Sequence, residues 1–225
     1  MRQAFGMPRQ NAWDPSQLKP PPGQERRLAD DAALLRPILN QEIGDQEDLG
    51  PVLVAMCGLP GTGKSHFARE LAKRIPMLVL ETDRLRKVLV AKPKYTPGEH
   101  RRVFRVCYLL LDEYLGKGIK VLFDATNLTE DFRQPIYHIA EKRQARLVLV
   151  GFTAPQSVVR ERLVARQMGR DTAGYSDATW RIHSRMRPFE ERIQRDHLLV
   201  DTSKDITGAL NRVVAQSSLG GCRAE

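Results

Sequence analysis

The chain has 225 residues, with 36 Lys and Arg against 27 Asp and Glu, a formal net charge of +9. That length suits one compact domain with about fifty residues to spare. Its apolar runs are far shorter than the roughly 20 residues of a membrane span, and the polar, Pro-rich start lacks the apolar stretch of a signal peptide. Three cysteines far apart, Cys57, Cys107 and Cys222, fit neither a disulfide framework nor a zinc cluster. The expectation is a cytoplasmic protein without a membrane partner, its Cys57 and Cys107 thiols buried and inert.

In chain order, residues 1–22 carry Pro8, Pro15 and the run Pro20, Pro21 and Pro22, a composition that favours extended chain. Leu28, Leu34, Leu35, Ile38 and Leu39 then recur at helical spacing over 24–42, where Pro37 is expected to end or kink the helix. From Gly50 short β-branched runs alternate with amphipathic stretches, the pattern of βα units around a parallel sheet. Strands are expected at 52–57, 77–81, 120–124, 146–152 and 198–201. Helices are expected at 65–74, 99–115, 129–143, 156–167, 177–192 and 205–215. The chain thus divides into an N-terminal tail with one candidate helix (1–48), a catalytic domain (49–216) and a C-terminal tail (217–225). Ligands of open α/β sheets sit beyond the carboxyl ends of the strands, so residues just after each strand carry the functional signal.

The first strand runs into Gly58-Leu59-Pro60-Gly61-Thr62-Gly63-Lys64-Ser65, a G-x-x-x-x-G-K-[ST] loop between strand and helix. Glycines let the backbone curl with its N–H groups inward, and the next helix turns its positive end to the phosphates. Gly58, Gly61, Thr62, Gly63, Lys64, Ser65 and His66 are the expected ATP contacts. Lys64 is placed to reach the β- and γ-phosphates, and the Ser65 hydroxyl to ligate Mg²⁺. No Asn-Lys-x-Asp segment follows 146–152, which argues against a guanine nucleotide.

The second strand ends in Glu81-Thr82-Asp83, with Arg86 three residues further on the same helix face. A carboxylate there can take the proton of an attacking hydroxyl, and the arginine can fix an anion on the acceptor. The bland alternative is a capping Asp paired with its own Arg. The third strand ends in Asp124-Ala125-Thr126-Asn127, which places Asp124 beside the loop, able to hold Mg²⁺.

These segments resemble the polynucleotide-kinase-like P-loop phosphotransferases, in which a Gly-x-x-Gly-x-Gly-Lys-Ser loop, an Asp-x-x-Arg pair and an Asp-x-Thr-Asn strand end occur in this order. The resemblance spans about 51–203, and adenylylsulfate kinases look similar at the Asp-x-x-Arg pair. It implies a three-layer P-loop NTPase sandwich with a mostly parallel five-stranded sheet, Asp83 as general base, Arg86 as an acceptor-phosphate contact, and Asp124 in the metal and acceptor site. Arg160, Arg162, Arg166 and Arg170 lead into a small polar stretch that looks like a short lid. Arg166 and Arg170 match the family's catalytic lid pair, whereas Arg160 and Arg162 read as a solvated helix face. Trp13 and Trp180 read as ordinary core or surface aromatics, and His183, Arg181, Arg185 and Arg187 receive no role.

The expected reaction moves the γ-phosphate of ATP to a hydroxyl acceptor, with a polynucleotide 5′-hydroxyl preferred. The alternatives are a small-molecule kinase acting on a sugar, antibiotic or nucleotide-sulfate hydroxyl, and a non-catalytic module that uses ATP as a conformational ligand. Residues 69–120 hold 13 Lys and Arg against 6 Asp and Glu, an excess that suits a polyanionic partner such as nucleic acid as well as it suits a solvated surface.

Overall fold

The computed structural model describes residues 23–44, 50–169 and 174–218; Trp13, Arg170 and Cys222 lie outside these. In chain order the elements are α1 (Glu25–Asn40), β1 (Val52–Cys57), α2 (Lys64–Ala72), β2 (Leu78–Glu81), α3 (Thr82–Leu89), α4 (Pro97–Gly116) and β3 (Val121–Asp124). There follow α5 (Glu130–Lys142), β4 (Arg146–Thr153), α6 (Gln156–Gln167), α7 (Trp180–Met186), β5 (Leu198–Asp201) and α8 (Thr207–Ser218).

The five strands form one sheet in the order β2-β3-β1-β4-β5, every neighbouring pair parallel. Its two faces alternate residue by residue along β1. Leu53 and Ala55 pack with Phe123 under α1, α4 and α5, while Val52, Val54 and Met56 pack with Phe67 and Val213 under α2 and α8. This is the three-layer sandwich of a P-loop NTPase. Both central strands are buried on both faces, which is why they read as continuous apolar runs. The order leaves the carboxyl ends of β1, β2 and β3 side by side, and Glu81 pairs with Asp124 in register.

The structure departs from the sequence expectation in two helices. Pro37, expected to end or kink the first helix, does not end it, and α1 runs on to Asn40. Pro37 removes one helical hydrogen bond, but Ala32, Leu35 and Leu39 are fully buried in the core, and side chains of α4 hold the helix from outside. Arg102 clamps Asp31, Arg36 bonds Glu113, and the Tyr114 hydroxyl donates to Asn40. α7 is shorter than the expected 177–192. Thr179 caps its start, and it ends at Met186 in a single 3₁₀ turn, Arg187–Phe189, because Pro188 offers no N–H to continue the ladder. Among the described residues no helix is long and apolar enough to cross a membrane.

Candidate nucleotide and acceptor site

A cavity of about 680 Å³ opens over the carboxyl ends of β1, β2 and β3. Gly61, Gly63, Lys64, Ser65 and His66 form its floor. Gly63 caps α2 with φ of +88°, and a Cβ on it would lie 2.8 Å from the Thr202 hydroxyl, so both conformation and space exclude a side chain. Gly58 and Thr62, also expected to touch nucleotide, are not among the residues lining the cavity. Gly58 approaches the Phe152 carbonyl too closely for a Cβ, and the Thr62 hydroxyl donates to Leu59 O at 2.8 Å.

The loop is clamped from outside by four segments. Gly58 N donates to Thr126 O, and Asn127 Nδ2 donates to Met56 O, tying β3's end to β1's end. Asn127 therefore sits with φ of +42° as a brace, which gives the Asp-x-Thr-Asn strand end a structural reason. The Thr202 hydroxyl donates to Thr62 O at 2.8 Å and accepts from Arg162 at 2.8 Å. From α7, His183 Nδ1 lies 2.8 Å from Pro60 O; a carbonyl only accepts, so Nδ1 carries the proton. Trp180 stacks on that imidazole at 5.0 Å. Carbonyls of the loop are thus occupied on its outer side, while the first amides of α2 lack an intrahelical acceptor. Such a loop is built to receive an anion on its inner side.

Lys64 is buried, and its ammonium donates to Leu59 O at 3.0 Å. Burial lowers its pKa, while the nearby Asp124 and Asp83 charges oppose that shift. Asp124 is buried beside it. Burial raises its carboxyl pKa, against the Lys64 charge and a hydrogen bond from the Ser65 hydroxyl. One of its oxygens, Oδ2, is buried without a partner. A buried carboxylate oxygen left empty beside a phosphate cradle fits a cation, and Ser65 with Asp124 supplies the few oxygens Mg²⁺ needs when phosphates complete its shell. Glu81 joins this acidic edge; burial, then Asp124 and Asp83, push its carboxyl up to about 7.

Asp83 and Arg86 both line the cavity. Their mutual contact is long, Arg86 Nε to Asp83 Oδ1 at 3.9 Å, so the local capping pair is not what holds the arginine. Arg86 is almost fully buried, and it donates to Glu99 at 2.8 Å, reaches His100 Nδ1 at 3.4 Å and lies over the Tyr95 ring. Burial, with the Arg86 charge, drives His100 down to about 3, so it accepts as a neutral ring. Glu99 also accepts from the N–H of Lys94 and Tyr95. Behind these lie Phe104, Leu128 and Phe132, with Ile182 and Met186 from α7, so this end of the cavity has apolar walls around a fixed cation.

Arg166 lines the cavity, and Arg170 lies outside the described residues. Arg162 does not lie on a solvated face: its guanidinium donates to both Thr202 O and Thr202 Oγ1 and lines the same cavity. Cys57 and Cys107 are free thiols, buried as expected, and burial pushes both up to about 12. Sequence reasoning missed Glu99, although Thr96-Pro97-Gly98-Glu99 has the spacing of a capping box; it also missed His183 and Thr202, which no local pattern marks.

Solved structures share this fold. A candidate kinase from Chloroflexus aurantiacus superposes with a TM-score of 0.61 at 16% identity, over 74% of this chain and 98% of that one. The APS kinase CysC of Mycobacterium tuberculosis, solved with AMPPNP and APS, gives 0.58 at 19% identity over 74% and 97%. Kti12 of Chaetomium thermophilum, solved with ADP-AlF3, gives 0.58 at 17% identity over 76% and 99%. A family model described as AAA domain matches residues 53–203, from β1 through β5 and the clamping Thr202, and by that match the chain belongs to the AAA domain family.

Proposed function

We propose that the protein is an ATP-dependent phosphotransferase that moves the γ-phosphate of ATP to an acceptor hydroxyl. The observation that carries this reading is the empty Asp124 Oδ2, buried at the foot of the loop beside Lys64 and Ser65, with Asp83 on the same cavity. Gly61, Gly63, Lys64, Ser65 and His66 hold the nucleotide phosphates. When bound at Ser65 and Asp124, Mg²⁺ neutralises phosphate charge. Asp83 takes the proton as the acceptor oxygen bonds to the γ-phosphorus and the bond from that phosphorus to the β-bridging oxygen breaks, giving ADP and a phosphate ester. Lys64, Arg166 and Arg170 stabilise charge on the phosphoryl group in flight, and Arg86, fixed by Glu99, faces an anion on the acceptor.

For the acceptor we favour a 5′-hydroxyl of an oligonucleotide, on the sequence likeness to polynucleotide kinases and the local basic excess. A second reading, a kinase of a small ring-bearing metabolite, is favoured by the apolar walls of Phe104, Phe132 and Ile182 at the acceptor end. The test is transfer from labelled ATP to a panel containing a 5′-hydroxyl oligonucleotide, a nucleoside 3′-phosphate, sugars and aromatic alcohols. Transfer to any of them supports the phosphotransferase. Release of inorganic phosphate alone, unaffected by every acceptor, overturns it in favour of an ATP-driven switch.

A further inference from the structure

On the other side of the first turn of α4 lies a second cavity, about 570 Å³, between the starts of α1 and α4. Its walls carry Arg27 from α1, Arg101, Arg102 and Arg105 from α4, and two carboxylates, Asp31 and Glu99. Both carboxylates are already engaged. Asp31 is clamped by Arg102 through hydrogen bonds of 2.6 and 2.5 Å, and Glu99 holds Arg86 on the catalytic side. Among the described residues neither Arg27, Arg101 nor Arg105 has an ion-pair partner, so three guanidinium charges border one cavity uncompensated.

An anion between them would relieve the repulsion felt by Arg105. Like charges around a shared cavity repel, and Arg105 is half-buried, with its pKa lowered by burial and by the Arg101 charge. Arg27 and Arg101 reach solvent at the rim, while Arg105 is held part-way inside. Arg101 and Arg105 stand one turn apart on the same face, about 6 Å along the helix axis, which suits two anionic groups better than one. Guanidinium forks match phosphate oxygens two by two. One wall comes from α1, outside the family-matched residues 53–203, so the cavity depends on a helix that the family match does not include.

We propose that this cavity is a second phosphate-binding site, for a ligand carrying two or more phosphate groups, distinct from the ATP cradle. Two sources share that chemistry: the backbone of an oligonucleotide whose 5′ end occupies the catalytic cavity, and a free polyphosphate. Only the first rests on the oligonucleotide reading above.

The test is a binding measurement on the full chain with saturating ADP and Mg²⁺ filling the loop. Tripolyphosphate, a 5′-hydroxyl octanucleotide and an octaglutamate peptide are titrated by calorimetry at several salt concentrations. Wild type is compared with R101Q/R105Q and with the charge-matched control K73Q/R212Q on the α2–α8 face. The expected result is binding weakened about tenfold or more in R101Q/R105Q and unchanged in the control. For the octanucleotide, the slope of log affinity against log salt should flatten by about 1.4, from roughly 0.7 per lost phosphate contact. Weakening for both phosphate ligands assigns the acceptor backbone, and weakening for tripolyphosphate alone assigns a free polyphosphate. Equal affinities in wild type and R101Q/R105Q overturn the site, as does octaglutamate binding as tightly as the phosphate ligands. Should R101Q/R105Q melt below wild type, Arg27→Gln at an exposed position gives the same comparison. No turnover is required, so failure of the phosphotransferase reading leaves this readout intact.

Discussion

Replacing Glu99 by Ala isolates the device that fixes the buried Arg86 cation in the cavity wall. In the folded chain Arg86 and Glu99 have side chains only 3% and 9% exposed and lie 2.8 Å apart. Deleting the carboxylate leaves a buried guanidinium whose nearest remaining acid, Asp83, is 3.9 Å away. Breaking such a pair by removing one partner costs about 3–5 kcal/mol. At about 2–4 °C per kcal/mol for a chain of this size, melting should fall by roughly 6–20 °C. The pH dependence has a definite sign. Burial alone raises the Glu99 carboxyl, but hydrogen bonds from Lys94 N–H and Arg86 outweigh it and set the folded pKa below the ordinary carboxylate value. A carboxyl lowered on folding stabilises fully above its unfolded pKa and loses that contribution as pH falls through the folded one. Wild type should therefore lose its advantage over Glu99→Ala on acidification below about pH 4.5. The assay is paired thermal melts of both proteins from pH 3 to 8. A melting difference under 2 °C at pH 7, or one that grows on acidification, refutes the assignment of Glu99 as the counter-charge of Arg86.

Three further substitutions separate the loop, Asp83 and the clamp. Lys64→Ala should stay folded but lose turnover by about 10²–10³-fold, and normal transfer by a folded variant would sink the loop mechanism. Asp83→Asn should keep ATP affinity within a few fold and slow transfer by roughly 10²-fold; lost nucleotide binding with an unchanged transfer rate would move Asp83 to the metal site or the fold. Arg162→Ala removes two hydrogen bonds from a charged donor to Thr202 and frees the hydroxyl that steadies Thr62 O. Stability should drop by about 1–3 kcal/mol and ADP affinity several fold, both read by calorimetry; wild-type values in each would return Arg162 to the surface.

Much of this site was written in short segments, and those were readable. The strand before the loop, its glycines and Lys64 are contiguous, so one motif carries the cradle, and the expected strand at 198–201 coincides with β5. Asp83 and Asp124 line the cavity because the ends of parallel strands mark one face of the sheet. The long-range partners were not readable. Glu99 is 13 residues from Arg86, Thr202 is 40 from Arg162, and Pro60 is 123 from His183. Each of these contacts exists only after the chain has packed, and none leaves a periodic trace. Pro37 illustrates the converse: its local signal for a helix end was sound, and burial of Leu35 and Leu39 against α4 overrode it.

The same division separates two kinds of residue. Residues that would meet ATP are constrained by the ligand's fixed shape, so the chain spells them in a recognisable order. Residues that steady them need only supply a donor or a charge at the right place, and many sequences can do that. His183 needs one N–H aimed at Pro60 O, and Arg162 needs two aimed at Thr202. These contacts bear on function nonetheless, because a phosphate cradle acts through where its amides point before the anion arrives. With carbonyls of Leu59, Pro60 and Thr62 each bonded, the loop cannot turn them inward without breaking a hydrogen bond. Each such break costs about 1 kcal/mol or more, so the shape of the loop is held by contacts that no motif in the chain announces.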